Sequence, residues 1–191
     1  KRSIRFEYLL SSAPFPQLLE ACRVPYESAA YTHNKVLVYN LGFDAKGPRG
    51  IHWIYYPERD TCFYRVGFYD NIFDTHRMSL YVELGYPSDA VLDRASIDAT
   101  RERVLGDLRK VGVLADQQLV AEHSVVLDPA YVHITRASMA EVARHKELLA
   151  ARGVYSAGRY GSWTYCSIED NIIEARELAA RFNTLLELGL C

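Results

Sequence analysis

Residues 153–170 hold the densest set of groups with chemical potential in this chain: Gly153-Val-Tyr-Ser-Ala-Gly158-Arg159-Tyr-Gly161-Ser-Trp163-Thr-Tyr165-Cys-Ser167-Ile-Glu-Asp170. A strand that ends at two glycines and passes into a capped helix can cradle a phosphate. Gly158 and Gly161 let a ligand approach the backbone, and a helix beginning near Ser167 offers unpaired N–H groups and the positive end of its dipole. Arg159 adds a permanent, fork-shaped cation. The same residues also suit a plain strand-loop-helix connection, with the glycines serving turns, Trp163 and Tyr165 filling core and Arg159 on the surface. The spacing is not G-x-G-x-x-G, so the residues by themselves favour the plain connection.

Other candidate groups are scattered. His33, His52, His76, His123, His133 and His145 show neither H-x-x-x-H nor H-E-x-x-H spacing, and are read as surface or core histidines, so no metal site is expected. Glu58, Glu83 and Asp70 are carboxylates that only the fold can pair, and are read as solvated loop or strand charges. Arg65 stands among Phe63, Tyr64 and Val66, and requires an anionic partner if it is buried. Cys22, Cys62, Cys166 and Cys191 are far apart and form no C-x-x-C pair, which removes the usual zinc and redox spacings. They read as buried free thiols of a reducing compartment.

The 191 residues are 49% hydrophobic and 24% charged, enough to bury a core in one soluble globular domain. A formal net charge of -2 gives no excess of cations with which to neutralise a phosphate backbone, so nucleic acid is not an expected partner. No apolar run approaches the ~20 residues of a membrane span, and the charged start has no apolar leader behind it; a cytoplasmic location is expected. The chain opens at Lys1 without Met and runs directly into a strand-like segment over residues 4–13, as expected of a piece of a longer protein.

The elements that must position these groups follow from periodicity. Phe6 to Ala13 predicts a strand, Ser11-Ser12-Ala13-Pro14 a turn, and Gln17 to Arg23 a helix. Strands are predicted over residues 35–43, Ile51 to Tyr56, Cys62 to Phe68, Ser79 to Tyr86 and Leu119 to Leu127, with residues 44–50 as a loop and Pro57 to Asp60 as a tight turn. Ile97, Val104, Leu105, Leu108 and Val111 fall on one stripe of a helix over Ile97 to Val111. Ser138 and Glu141 have capping-box spacing for a helix to about Ala151, which Gly153 ends. After a short strand from Val154 to Ala157 comes a final helix from near Ser167 to about Leu188, with Ile168, Ile172, Ala175, Ala179, Phe182 and Leu186 at helical spacing. The class is α+β, a mostly antiparallel sheet with packed helices, ending in a strand-turn-helix.

Several segments, in order, resemble one family. Ala157-Gly158-Arg159-Tyr160-Gly161-Ser162-Trp163, followed by Ile168-Glu169-Asp170, resembles the last FAD-binding motif of the UDP-galactopyranose mutase and protoporphyrinogen oxidase-like branch of the amine oxidase superfamily. His52-Trp53-Ile54-Tyr55-Tyr56-Pro57-Glu58 followed by Phe63-Tyr64-Arg65-Val66 is similar to that family's stretch from a tryptophan through a "YFPE"-type turn to an "FYR" strand. Tyr8 to Pro16 resembles its opening strand and turn near the flavin, and Tyr81-Val82-Glu83 its "yvE" strand. The resemblance spans nearly the whole chain.

What the resemblance implies is a division of labour. Residues 1–152 would form a substrate-binding part and residues 153–191 would complete an FAD-binding domain. Gly158, Arg159, Gly161 and Asp170 would contact FAD, with Arg159 nearest the isoalloxazine. Arg65 would clamp a substrate diphosphate together with Tyr165 and Tyr131, with Trp53 also at the substrate. Around Tyr131 the chain reads Pro129-Ala130-Tyr131-Val132 where the family has Tyr-Pro. No βαβ dinucleotide fingerprint occurs in the chain, so the main FAD site would lie on an N-terminal dinucleotide-binding half of the same protein, and this part alone would hold FAD weakly or not at all. The implied activity is mutase-like: reduced FAD attacks the anomeric carbon of a nucleotide sugar and the ring recloses in its other form, with no net redox and no catalytic side chain beyond the flavin. The alternatives are an FAD-dependent oxidoreductase of the amine oxidase or protoporphyrinogen oxidase type, and a non-catalytic relic of the substrate domain.

Overall fold

The computed structural model describes residues 3–187. In chain order the strands are β1 (Leu9–Ser11), β2 (His33–Phe43), β3 (Trp53–Tyr55), β4 (Arg65–Phe68), β5 (Ser79–Pro87), β6 (Leu119–Val132) and β7 (Val154–Ser156). The helices are α1 (Phe15–Ala21), α2 (Tyr69–Ile72), α3 (Arg94–Lys110), α4 (Arg136–Ala150), α5 (Gly158–Gly161) and α6 (Ile168–Glu187). The expected end of the last helix near Leu188 lies outside the described residues, as does Cys191. The chain divides into two compact units, residues 34–130, and residues up to His33 together with those from Tyr131 onward. Within the latter unit, β1 hydrogen-bonds in parallel with β7.

The unit 34–130 is built on a five-stranded sheet of order β3-β4-β5-β2-β6. The pairs β3/β4, β4/β5 and β2/β5 are antiparallel, so the class is α+β as expected. Alternation along the strands sends Val66, Phe68, Leu80, Val82, Tyr39 and Leu41 to a single buried face. Val104, Leu105 and Leu108 of α3 belong to the same core, with Ile97 and Val111 half-buried at its margin. The predicted stripe is therefore the packed one. The helix begins three residues earlier than its stripe, since Asp93 caps it by accepting the Ser96 N–H at 2.8 Å.

The other unit buries Phe15, Leu18 and Leu19 of α1, Tyr31, Val142 and Leu149 of α4, Val154 and Trp163. Three sequence-based expectations are corrected. The cap of α4 is Thr135, whose hydroxyl accepts the Ser138 N–H at 3.0 Å while Ser138 Oγ accepts the Thr135 N–H at 2.9 Å, so Ser138 is the far member of the box and Glu141 no part of it. Strand β6 continues past Leu127 to Val132; Pro129 is tolerated because β6 lies at the edge of the sheet. On α6, Ile168 is 81% exposed and Ile172 and Ala175 are also exposed, whereas Asn171, Glu174, Leu178 and Phe182 make up the partly covered face. Phe182 packs edge-on against Tyr155 of β7, ring centres 4.6 Å apart, and that contact sets the rotation of the helix.

Candidate functional site

In the unit 34–130, the sheet face opposite the core carries the first cluster. Register puts Tyr55, Arg65 and Glu83 in one row across β3, β4 and β5, and Trp53, Gly67, Tyr81 and Asn40 in the next row on the same face. The Arg65 guanidinium is hydrogen-bonded to the Glu83 carboxylate, donates to the Tyr55 hydroxyl at 3.2 Å, and lies 5.7 Å from the centres of both the Tyr55 and Tyr81 rings. Tyr64 donates to the second oxygen of Glu83 at 2.5 Å. The anionic partner that Arg65 requires is thus Glu83, which is buried and not the solvated charge expected. Asp70, also expected to be solvated, is buried and paired with Lys46 at 2.6 Å, so the carboxylates do not pair with one another. Tyr81 lies across Gly67, where a Cβ would run into its ring; burial raises the Tyr81 phenol above its ordinary range. Trp53, 57% exposed, and Tyr55 complete an aromatic face open to solvent in this unit.

The second cluster stands in the other unit. The Arg159 guanidinium carbon is 5.0 Å from the Tyr131 ring centre and 4.6 Å from that of Tyr165. The two rings are 6.3 Å apart and inclined by 24°. Stacking of this kind holds a guanidinium while leaving its edge donors to a ligand. Among the described residues no carboxylate pairs with Arg159, and its Nε is buried with no hydrogen-bond acceptor. A cation so placed suits an anion.

The backbone donors around it are already engaged. Glu174 accepts the Gly158 N–H at 2.7 Å and Asn171 the Arg159 N–H at 3.1 Å. At the start of α6, Asp170 accepts the Ser167 N–H at 2.7 Å and Ser167 Oγ accepts the Asp170 N–H at 3.1 Å, a reciprocal cap that holds the Asp170 carboxyl below its ordinary range. Gly161 is buried against Ser156, whose hydroxyl donates to the Gly161 carbonyl at 2.8 Å. Gly158, at φ 84°, is left-handed, which its missing side chain permits. Of the residues singled out from sequence, Arg159, Tyr131 and Tyr165 come together in one unit, Arg65 and Trp53 share a sheet face in the other, Gly158 and Gly161 shape the turn that carries Arg159, and Asp170 caps the start of α6. Glu174, Asn171, Tyr55 and Tyr64 were not foreseen as members of either cluster. The only available sequence signals were the three-residue spacing of Asn171 and Glu174 on one helix face, and strand alternation.

No metal-binding group of histidine, cysteine and carboxylate side chains occurs among the described residues. Cys22, Cys62 and Cys166 are free and half-buried, less buried than expected, and burial pushes the Cys62 thiol up to about 12, which leaves it inert. No helix of the described residues is long and apolar enough to cross a membrane.

No protein-family profile and no curated protein matches the sequence. Solved structures do match. A crystal structure of reduced UDP-galactopyranose mutase aligns with 85% of this chain at a TM-score of 0.70 and 20% identity. A protein assigned as a protoporphyrinogen oxidase, from Exiguobacterium sp. 255-15, aligns with 80% at a TM-score of 0.62 and 18% identity. This chain has the fold they share. It spans 37% of the length of the first and 36% of the second.

Proposed function

We propose that the chain is part of an FAD-dependent enzyme of the UDP-galactopyranose mutase type, acting on a nucleotide sugar. The observation that carries this reading is the Arg159 guanidinium set against Tyr131 and Tyr165 with a buried donor and, among the described residues, no carboxylate, in a fold shared with a UDP-galactopyranose mutase. In this reading the unit 34–130 binds substrate, and the unit containing Arg159 completes an FAD-binding domain with an N-terminal dinucleotide-binding half of the same protein. Parallel pairing of β1 with β7 supports the second part, because parallel sheets are normally larger and covered on both faces.

The chain's own groups bind and orient. Arg159, with the phenols of Tyr131 and Tyr165, holds an anionic diphosphate next to the flavin. Within the unit 34–130, Arg65 and Tyr55 offer donors to substrate from the aromatic sheet face, and Trp53 offers a flat surface to a sugar ring. Gly158 and Gly161 act through the turn, and Asp170 through the start of α6. Reduced flavin, when bound, supplies the nucleophile for the anomeric carbon, so no side chain of this chain has to.

A second reading, an FAD-dependent oxidoreductase, is favoured by the neutralisation of Arg65 by Glu83, which makes the sheet face aromatic without net charge and fit for an apolar substrate. The test uses the full-length protein that carries this chain. It is purified, its flavin spectrum recorded, then it is reduced anaerobically and titrated with UDP-galactopyranose and UDP. Tight binding to the reduced form, weakened in Arg159→Ala and Arg65→Ala, is the expected result. A yellow protein indifferent to nucleotides supports the oxidoreductase, and a colourless one overturns both.

A further inference from the structure

Arg159 sits on a four-residue helical turn, α5, which is too short to fix a long side chain by itself. Its orientation comes from α6 and α4. Glu174 places one carboxylate oxygen on the Gly158 N–H at 2.7 Å and the other on the Ser162 hydroxyl at 2.5 Å, so a single side chain ties the first residue of α5 to the residue just past its end. Lys146 of α4 donates to Ser162 Oγ at 2.7 Å and lies 3.3 Å from the same Glu174 oxygen. One turn earlier on α6, Asn171 accepts the Arg159 N–H. The two N–H groups at the start of α5 are therefore bound by side chains of the protein itself, and a carboxylate stands where a phosphate would otherwise dock. The guanidinium, and not the turn's backbone, is left for a ligand.

We infer that Glu174 is the positioning residue of the Arg159 site. Its carboxylate, held by Lys146 and Ser162, sets the α5 turn so that the guanidinium lies against both the Tyr131 and Tyr165 rings. The Glu174 carboxyl is half-buried; burial alone opposes its ionisation, but the Ser162 hydroxyl, the Gly158 N–H and Lys146 outweigh this and hold it below the ordinary carboxylate range. The brace is consequently charged at neutral pH. This inference deepens the reading of the site given above, yet its test needs no ligand. A failure here would leave the nucleotide-sugar reading standing, and a failure of nucleotide binding would leave the brace standing.

The experiment is NMR on the ligand-free chain. In the wild type, Arg159 side-chain protons are expected to show ring-current shifts and nuclear Overhauser contacts to the Tyr131 and Tyr165 rings. In Glu174→Ala both are lost while the amide spectrum of residues 34–130 is unchanged. In Glu174→Gln, which keeps an acceptor for the Gly158 N–H, the contacts return at least in part. Contacts undiminished in a folded Glu174→Ala protein overturn the proposal. Should that variant not fold, the wild type is titrated into acid: the Gly158 amide and the Arg159 side-chain shifts must move together with ionisation of the Glu174 carboxyl, and an Arg159 signal that ignores that ionisation overturns it equally.

Discussion

Tyr81 owes its place to the absence of a side chain at Gly67. A Cβ there meets the Tyr81 ring, so Gly67→Ala must displace a partly buried aromatic that also lies beside Arg65. The expected cost is about 1–3 kcal/mol, typical of overpacking, read as a lower urea midpoint with the slope unchanged. Gly85→Ala, where the nearest atom is 3.8 Å away, is the control and should be neutral or stabilising. Glu83→Ala acts on the same face by leaving Arg65 and the Tyr64 hydroxyl without their shared acceptor; a loss of about 2–4 kcal/mol is expected, and Glu83→Gln should recover part of it. At this scale the sequence was half legible. That Arg65 needs an anion follows from its neighbours, but which anion depends on β4/β5 register, and nothing local to Phe63-Tyr64-Arg65-Val66 points to a residue on the next strand.

Helices show where periodicity is sufficient and where it misleads. The α3 stripe was legible because it faces a sheet, and a wide apolar partner makes the packed face and the apolar face one. On α6 they differ: the packed face includes Asn171 and Glu174, which are polar because they serve the α5 turn, and the isoleucines point elsewhere. Ser138 and Glu141 had the spacing of a capping box, but a box belongs to the residue at which the backbone turns helical, and that is Thr135. Thr135→Ala should cost about 1 kcal/mol, measured by denaturant unfolding, and Thr135→Ser much less. Acid sensitivity is shared by several elements, α6 among them. Asp170 and Glu174 both have carboxyl pKa values lowered by folding, so their contribution is complete above the unfolded carboxylate value and is lost as pH falls through the folded values. Loss of α6 helicity by circular dichroism should therefore begin on the acid side of ordinary carboxylate titration, and Glu174→Gln should flatten that dependence. A pH profile identical to the wild type would refute the assignment.

At the scale of the whole molecule, the contrast between the two sheets is the informative feature. Strand β5 pairs on both sides, with β4 and β2, above a core that includes Phe43, Phe68 and Leu80. Strand β1 has three residues, pairs only with β7 among the described residues, and leaves Leu10 60% exposed. Two strands are marginal as a free-standing sheet, and parallel pairs are found with helices or further strands over them. If the sheet is a fragment of a larger parallel one, its stability in this chain should be local and low. Amide hydrogen exchange checks this: β1 and β7 amides should exchange far faster than those of β5, through openings that do not require the unit 34–130 to unfold. In the longer protein proposed above, an N-terminal dinucleotide-binding half should slow exchange in β1 and β7 selectively. Equal protection of β1, β7 and β5 in the chain alone would mean that the small sheet needs no further strands, and would remove the structural support for a dinucleotide-binding domain completed from another segment.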